Sequence, residues 1–327
     1  MLGCRVKVLT YAVMGNHFHL LVEVPDKAKL VEEFAGPEGE QRLLTHVKCL
    51  YSPAAVRSLE AELARMREQG REEDAAAVVE SVIARMGDLS RYMKEVKERF
   101  TRWYNKRHGR RGTLWMDRFK SVMVENGEAL RAMAQYIDLN AVRAGLVDDP
   151  SDYRWCGWAE ALGGSRRAKR GICRVMDCAL DSWESGRSEA RENYAGALAE
   201  ILRGVKRQAG SSEAGNELVG AVESARRRLE ADCTERVAAV GGDAGGGAGV
   251  RKRMSVGSLL LRRVRYFTDG AVIGSKTYVE RVFESNRGNF PEGRRHASRS
   301  WRDPGDLEKR AEFGLHTLKD LRVDVYR

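Results

Sequence analysis

Two apolar, β-branched runs meet at one tight turn near the start of the chain, and that pairing constrains the fold most. Arg5 to Met14 is rich in Val, Leu and Tyr; His17 to Val24 is apolar again; Gly15-Asn16 lies between them. Strand-type runs joined by a Gly-Asn step predict a β-hairpin. Alternate side chains of a strand share a face, so His17 and His19 point the same way and Phe18 points the other. Two imidazoles side by side on a rigid strand form a ready pair of metal ligands. The bland alternative is two ordinary polar residues on a half-exposed sheet.

Helical patterns dominate from Lys27 onward. Lys27–Leu50 reads as helix interrupted at Gly36-Pro37-Glu38-Gly39, and Arg57–Met86 as helix broken near Gly70. Asp88 or Ser90 caps a helix over Arg91–Lys106, whose buried face would be Tyr92, Val96, Phe100 and Trp103. Leu114–Glu125 reads as a second sheet segment. Asn126 caps a helix that runs through Tyr136 to about Val142 and closes at Gly145. Pro150–Trp155 is a turn returning two aromatics to the body, Gly163–Ala168 a basic loop, and Asp181–Val240 helical with a break at Gly210-Ser-Ser212. Residues 241–250 form a Gly-rich linker, and residues 251–327 a small basic unit that contacts DNA or caps the structure.

The net charge of +10 favours a polyanionic partner, nucleic acid first. Much of it is concentrated in Arg91–Lys120, with eleven Lys or Arg against three acidic residues. Lys94, Lys97, Arg102, Lys106, Arg107, Arg110, Arg111, Arg118 and Lys120 are the candidate phosphate contacts. Tyr92, Phe100 and Trp103 are assigned to the core by their period, whereas Tyr104 and Trp115 are freer. The sequence carries neither an 18-residue apolar run nor a signal-peptide pattern. Six scattered cysteines make no C-x-x-C pair. These features predict a cytoplasmic, nucleoid-associated protein without a membrane partner.

The chemistry turns on Gln135–Val147. Residues four apart share a helix face, so Tyr136 and Asn140 project together. A tyrosine beside a metal can attack a phosphate, and the Asn140 amide oxygen can complete a site begun by His17 and His19. Imidazole and oxygen ligands suit Mg²⁺ or Mn²⁺, with zinc left open by ligand type alone.

Three motifs together, Met14-Gly-Asn-His-Phe-His-Leu-Leu-Val, Arg118-Phe-Lys-Ser and Tyr136-Ile-Asp-Leu-Asn-Ala-Val-Arg-Ala-Gly-Leu-Val, resemble the single-tyrosine HUH transposases. The branch they resemble is that of the REP-associated, IS200-like tyrosine transposases. The resemblance covers about residues 5 to 160. It implies an α+β fold: an antiparallel, ferredoxin-like sheet flanked by helices, followed by a mostly helical C-terminal extension. On that basis residues 1–160 form the catalytic domain and 161–240 a helical extension. The resemblance further implies His17 and His19 as metal ligands, Tyr136 as nucleophile and Asn140 as third ligand. The implied reaction is cleavage and strand transfer of single-stranded DNA at palindromic hairpins, through a 5′-phosphotyrosine, by a monomer or homodimer.

Two departures stand out. Gly15 replaces the family's usual proline, and the chain begins directly before the hairpin, where relatives have a further strand and helix. The expectation is therefore a sheet without its first strand, and a polypeptide that is poorly soluble or inactive unless upstream residues are restored. A domesticated, non-catalytic hairpin-binding protein is the alternative. A metallohydrolase that activates water through the H-x-H pair would not need Tyr136.

Overall fold

The computed structural model describes residues 5–48, 52–84, 86–184, 189–209, 267, 270–294, 299–302 and 312–318. The protein is a mixed α+β structure in which helices outnumber strands. Contacts divide it into two units: among the described residues one holds those up to Lys7 and Val22–Lys120, the other Val8–Leu21 and those from Ser121 onward. These units cut across the sequence boundary at residue 160, and the 241–250 linker lies outside the described residues.

The predicted hairpin forms. Strand β1 (Lys7–Val13) pairs with β2 (Phe18–Glu23), and the Met14 N–H donates to the His17 carbonyl at 2.8 Å to close the turn. A connection this short permits only antiparallel pairing. Leu9, Ala12 and Leu21 from the hairpin enter the core of the second unit.

In the first unit, α1 (Lys27–Glu33) and α2 (Gly36–Lys48) are separated at Phe34–Ala35. Gly36-Pro37 therefore opens a helix and does not interrupt one, in keeping with the tolerance of proline in a first helical turn. Helices α3 (Pro53–Glu68) and α4 (Glu72–Ala84) flank Gly70, whose φ of 70° suits glycine alone. Leu30, Phe34, Leu43, Val47, Val56 and Ile83 form a core among them. Helix α5 (Leu89–Arg107) starts at Asp88, whose carboxylate accepts from the Arg91 N–H at 3.0 Å.

The sheet segment expected over Leu114–Glu125 shrinks to β3 (Met123–Val124). Side chains tie its first part back to α5. The Trp115 indole N–H donates to the Lys97 carbonyl and Thr101 Oγ1 at 3.1 and 3.0 Å, and Lys97 Nζ donates to the Asp117 carbonyl at 2.7 Å. A backbone drawn towards a helix by these bonds cannot also run as an extended ladder.

In the second unit, α6 (Glu128–Asp138) is capped at Gly127 (φ 84°) instead of Asn126. A break at Leu139 precedes α7 (Asn140–Arg143), and Gly145 at φ 70° ends the run. Nearly every residue of α6 is buried, which makes it the spine of this core. A short 3₁₀ turn at Pro150–Asp152 leads to α8 (Gly157–Leu162), α9 (Arg166–Met176), α10 (Leu180–Glu184) and α11 (Glu189–Ala209). Ser165 caps α9, so the basic loop expected over Gly163–Ala168 ends there. Of the two aromatics in the 150–155 turn, Tyr153 returns to donate to the Val13 carbonyl at 2.6 Å, while Trp155 stays exposed.

A second sheet has the order β3-β4-β6-β5, where β4 is Val272–Gly274, β5 Arg299–Arg302 and β6 Glu312–Leu318. β4 runs parallel to β3 and antiparallel to β6. Helix α12 (Lys276–Ser285) follows β4 and packs Val279 and Phe283 against Val272 and Leu318. Glu125 links the two halves of this arrangement: its carboxylate accepts from the Ser275 N–H and Oγ at 2.5 and 3.1 Å, at the start of α12. The C-terminal residues thus extend the sheet that β3 begins, where the sequence suggests a separate small unit. Among the described residues no helix is long and apolar enough to cross a membrane.

Candidate active site

His17, His19, Tyr136 and Asn140 all belong to the second unit, and the fold brings them together. The two imidazoles are 5.0 Å apart, centroid to centroid, and the Tyr136 ring lies 6.0 Å from His19, edge-on. His19 lies in β2 and His17 immediately before it, and the two rings meet on one side, as the sequence predicts. His17 is exposed, with its Nδ1 2.6 Å from Asn16 Oδ1; the tautomer that donates there carries its lone pair on Nε2. His19 is half-buried. Burial, the neighbouring His17 and the Arg143 charge together lower its pKa to about 4, so it is neutral and able to ligate at ordinary pH.

Tyr136 is 9 % exposed and sandwiched. Arg143 places its guanidinium 3.8 Å from the ring centroid on one side. Phe267 stacks on it at 4.4 Å and 16°. Asn140 is oriented by two bonds: Nδ2 donates to the Tyr136 carbonyl at 3.2 Å, and Oδ1 accepts from Arg143 Nη2 at 2.5 Å. The helix break at Leu139 keeps this i, i+4 relation.

Two imidazole nitrogens and one amide oxygen fit a divalent cation in part. An imidazole in its neutral form offers one ring lone pair, whereas Asn140 Oδ1 already receives a guanidinium N–H and has one lone pair left. Among the described residues no group of three or more His, Cys, Asp or Glu is arranged to hold a metal.

Asp138 is a residue that the sequence pattern does not single out. It is fully buried, and three donors converge on it: Thr10 Oγ1 from β1 at 2.7 Å, Tyr194 Oη from α11 at 2.5 Å and the Trp158 N–H of α8 at 3.3 Å. Burial pushes its carboxyl up to about 6 although all three hydrogen bonds pull the other way. One carboxylate therefore ties the histidine hairpin to the helix that bears Tyr136. The sequence of this helix, with Glu128, Arg131 and Gln135 also in it, does not mark Asp138 as buried; only the tertiary packing does. Arg143 lies inside the Tyr136 motif with no role assigned by spacing, and Phe267 is 131 residues from Tyr136, beyond any local pattern.

The expected DNA contacts lie on the first unit. Arg102, Lys106, Arg107, Arg110, Arg111, Arg118 and Lys120 are exposed. Lys94 is exposed and pairs with Glu98 at 3.8 Å. Lys97 is half-buried and spent on holding the loop, so it is the member of the set least available to a phosphate.

No family model, curated protein or solved structure matches the chain. The site's own geometry therefore carries the functional reading.

Proposed function

We propose that the protein is a metal-dependent single-stranded DNA endonuclease and strand transferase of the single-tyrosine HUH kind, acting at palindromic hairpins. The observation that carries this reading is the convergence of the hairpin histidines, Tyr136, Asn140 and Arg143 in one cluster. The ferredoxin-like identity of the catalytic domain belongs to the same proposal.

In the proposed step the Tyr136 oxygen forms a bond to phosphorus and gives up its proton to solvent. The bond to the 3′ oxygen breaks, and that oxygen takes up a proton and leaves as a hydroxyl. The 5′ phosphate stays on the tyrosine, so the energy of the phosphodiester is retained. Attack by the 3′-hydroxyl of another strand reverses the sequence. His17, His19 and Asn140 would hold Mg²⁺ or Mn²⁺, which when bound neutralises and orients the phosphate. Arg143 lies against Tyr136 and can pair with a phosphate oxygen as the nucleophile approaches. Asn140 fixes the Arg143 guanidinium, and the Phe267 stack restrains the ring. A stacked duplex restricts the in-line approach of the tyrosine to a backbone phosphate, which favours a single-stranded substrate.

A second reading, a domesticated hairpin-binding protein without turnover, draws on the cover over Tyr136 by Phe267. Incubation with labelled hairpin DNA and Mg²⁺ or Mn²⁺, resolved on a denaturing gel, separates the two. A slow-migrating protein–DNA species that Tyr136→Phe abolishes supports the enzyme. Binding without such a species supports the second reading.

A further inference from the structure

Phe100 and Trp103 share a helical period with Tyr92, yet they do not share its burial. Tyr92 is 5 % exposed, Phe100 44 % and Trp103 56 %. They continue along α5 as an outer stripe of Phe100, Trp103, Tyr104 and His108, the spacing of one helix face. Phe100 lies 5.6 Å from Trp103 and 5.9 Å from Tyr104, and Tyr104 stacks on His108 at 4.1 Å. Trp115 of the adjoining loop adds a fifth ring, 5.7 Å from Phe100, held there by its indole bonds to α5.

We infer that this face is a stacking platform for unpaired bases of single-stranded DNA. The inference rests on the reading of the chain as a single-strand DNA enzyme and names how the strand is gripped. Charge selects the occupant. Among the described residues Arg102, Lys106, Arg107, Arg110 and Arg111 form no ion pair, whereas Lys94 and Arg99 on the same helix pair with Glu98 and Glu95. Arg110 lies over the Tyr104 ring at 5.9 Å, and the others extend around the rings; aromatic planes bordered by cations suit a ligand with π faces and a phosphate backbone. A second copy of the chain would meet the same positive charge head-on, so self-association through this face is disfavoured. Paired bases in a duplex are already stacked on one another and cannot lie on the rings, which restricts the ligand to a single strand or a hairpin loop.

The test compares oligo-dT with an abasic oligonucleotide of equal length, bound to the full chain in EDTA so that no cleavage contributes. The two ligands carry the same phosphates and differ only in bases. The wild type is expected to bind oligo-dT about ten-fold more tightly, the order of change that stacking of a base on a ring brings. Trp103→Ala, and separately Phe100→Ala, should remove about five-fold or more of oligo-dT affinity and leave abasic affinity unchanged, with an unaltered thermal midpoint. Equal affinity for the two ligands overturns the inference. So does an equal loss on both in Trp103→Ala, or a Trp103-dependent self-association with oligo-dT affinity intact. Absence of a covalent adduct under Mg²⁺ would sink the proposed function and leave this base preference standing, so the two failures are distinguishable.

Discussion

Asp138 offers the sharpest energetic test, because its environment pulls in two directions. Its carboxylate accepts from Thr10, Tyr194 and the Trp158 N–H, and it is wholly removed from water. Asp138→Ala leaves three buried donors without an acceptor. At about 1–3 kcal/mol each the loss is several kcal/mol, a large part of a typical total of about 5–15. Asp138→Asn keeps an acceptor for Thr10 and Trp158, and the Tyr194 hydroxyl can turn to accept from the new amide. The carboxyl's pKa rises from 3.8 to about 6 on folding. At about 1.4 kcal/mol per tenfold change in proton affinity, the buried charge costs the folded state about 3 kcal/mol at pH 7. The sign comes from proton uptake: between about pH 4 and pH 6 the folded state binds more protons than the unfolded one. Stability from this group is therefore greatest at low pH and falls as pH rises through 6. Urea unfolding of the wild type and both variants at pH 4.5, 5.5 and 7.5 reads this out. Asn should gain on the wild type by about 2 kcal/mol between pH 4.5 and pH 7.5, since about a third of the effect is already lost at pH 4.5, while Ala should be destabilised throughout. A wild-type-to-Asn difference independent of pH, or Asn as damaging as Ala, would refute the reasoning.

Three further outcomes rest on particular contacts. Gly171→Ala on α9 would drive a Cβ into hard overlap with the Leu9 carbonyl oxygen and bring it 2.8 Å from the carbonyl carbon, with only strand backbone to yield. Despite the better helix propensity of alanine it should lower stability by about 1–3 kcal/mol, measured by denaturant midpoint; an unchanged midpoint would contradict the close packing of α9 on β1. His17→Ala or His19→Ala, or EDTA with the wild type, should abolish cleavage and leave hairpin affinity within about two-fold in a mobility-shift assay; undiminished cleavage in EDTA would dispose of the metal assignment. Replacing Arg110 and Arg111 with Ala should reduce the salt dependence of single-strand binding, the log–log slope losing about 0.7 per phosphate contact; an unchanged slope would place the strand elsewhere.

Local pattern makes some elements legible and leaves others dark. The histidine hairpin and the helix carrying Tyr136 and Asn140 are written in spacings of two and four residues, and the structure joins them at the expected faces. Apolar residues over Leu114–Glu125 suggest a strand, but Trp115 finds partners on α5 and pulls most of that stretch out of extended form. Pairing of β3 with β4 connects residues almost 150 positions apart, a register that no local signal encodes. Period shows that α5 has an apolar stripe, not that something covers it, which is why it points Phe100 and Trp103 to a core they do not enter. The Asp138 network is hidden for a similar reason: its three partners come from three separate elements.

The central claim is that Tyr136 is the attacking group. Trypsin cutting after Arg131 and Arg143 releases a peptide, Ala132–Arg143, in which Tyr136 is the sole tyrosine. The full chain would be incubated with hairpin DNA and Mg²⁺ or Mn²⁺, treated with nuclease and trypsin, and analysed by mass spectrometry. The account predicts this peptide carrying a 5′-linked nucleotide on Tyr136, absent when EDTA is added. A nucleotide on any other tyrosine, or cleaved DNA with no modified peptide at all, would contradict it.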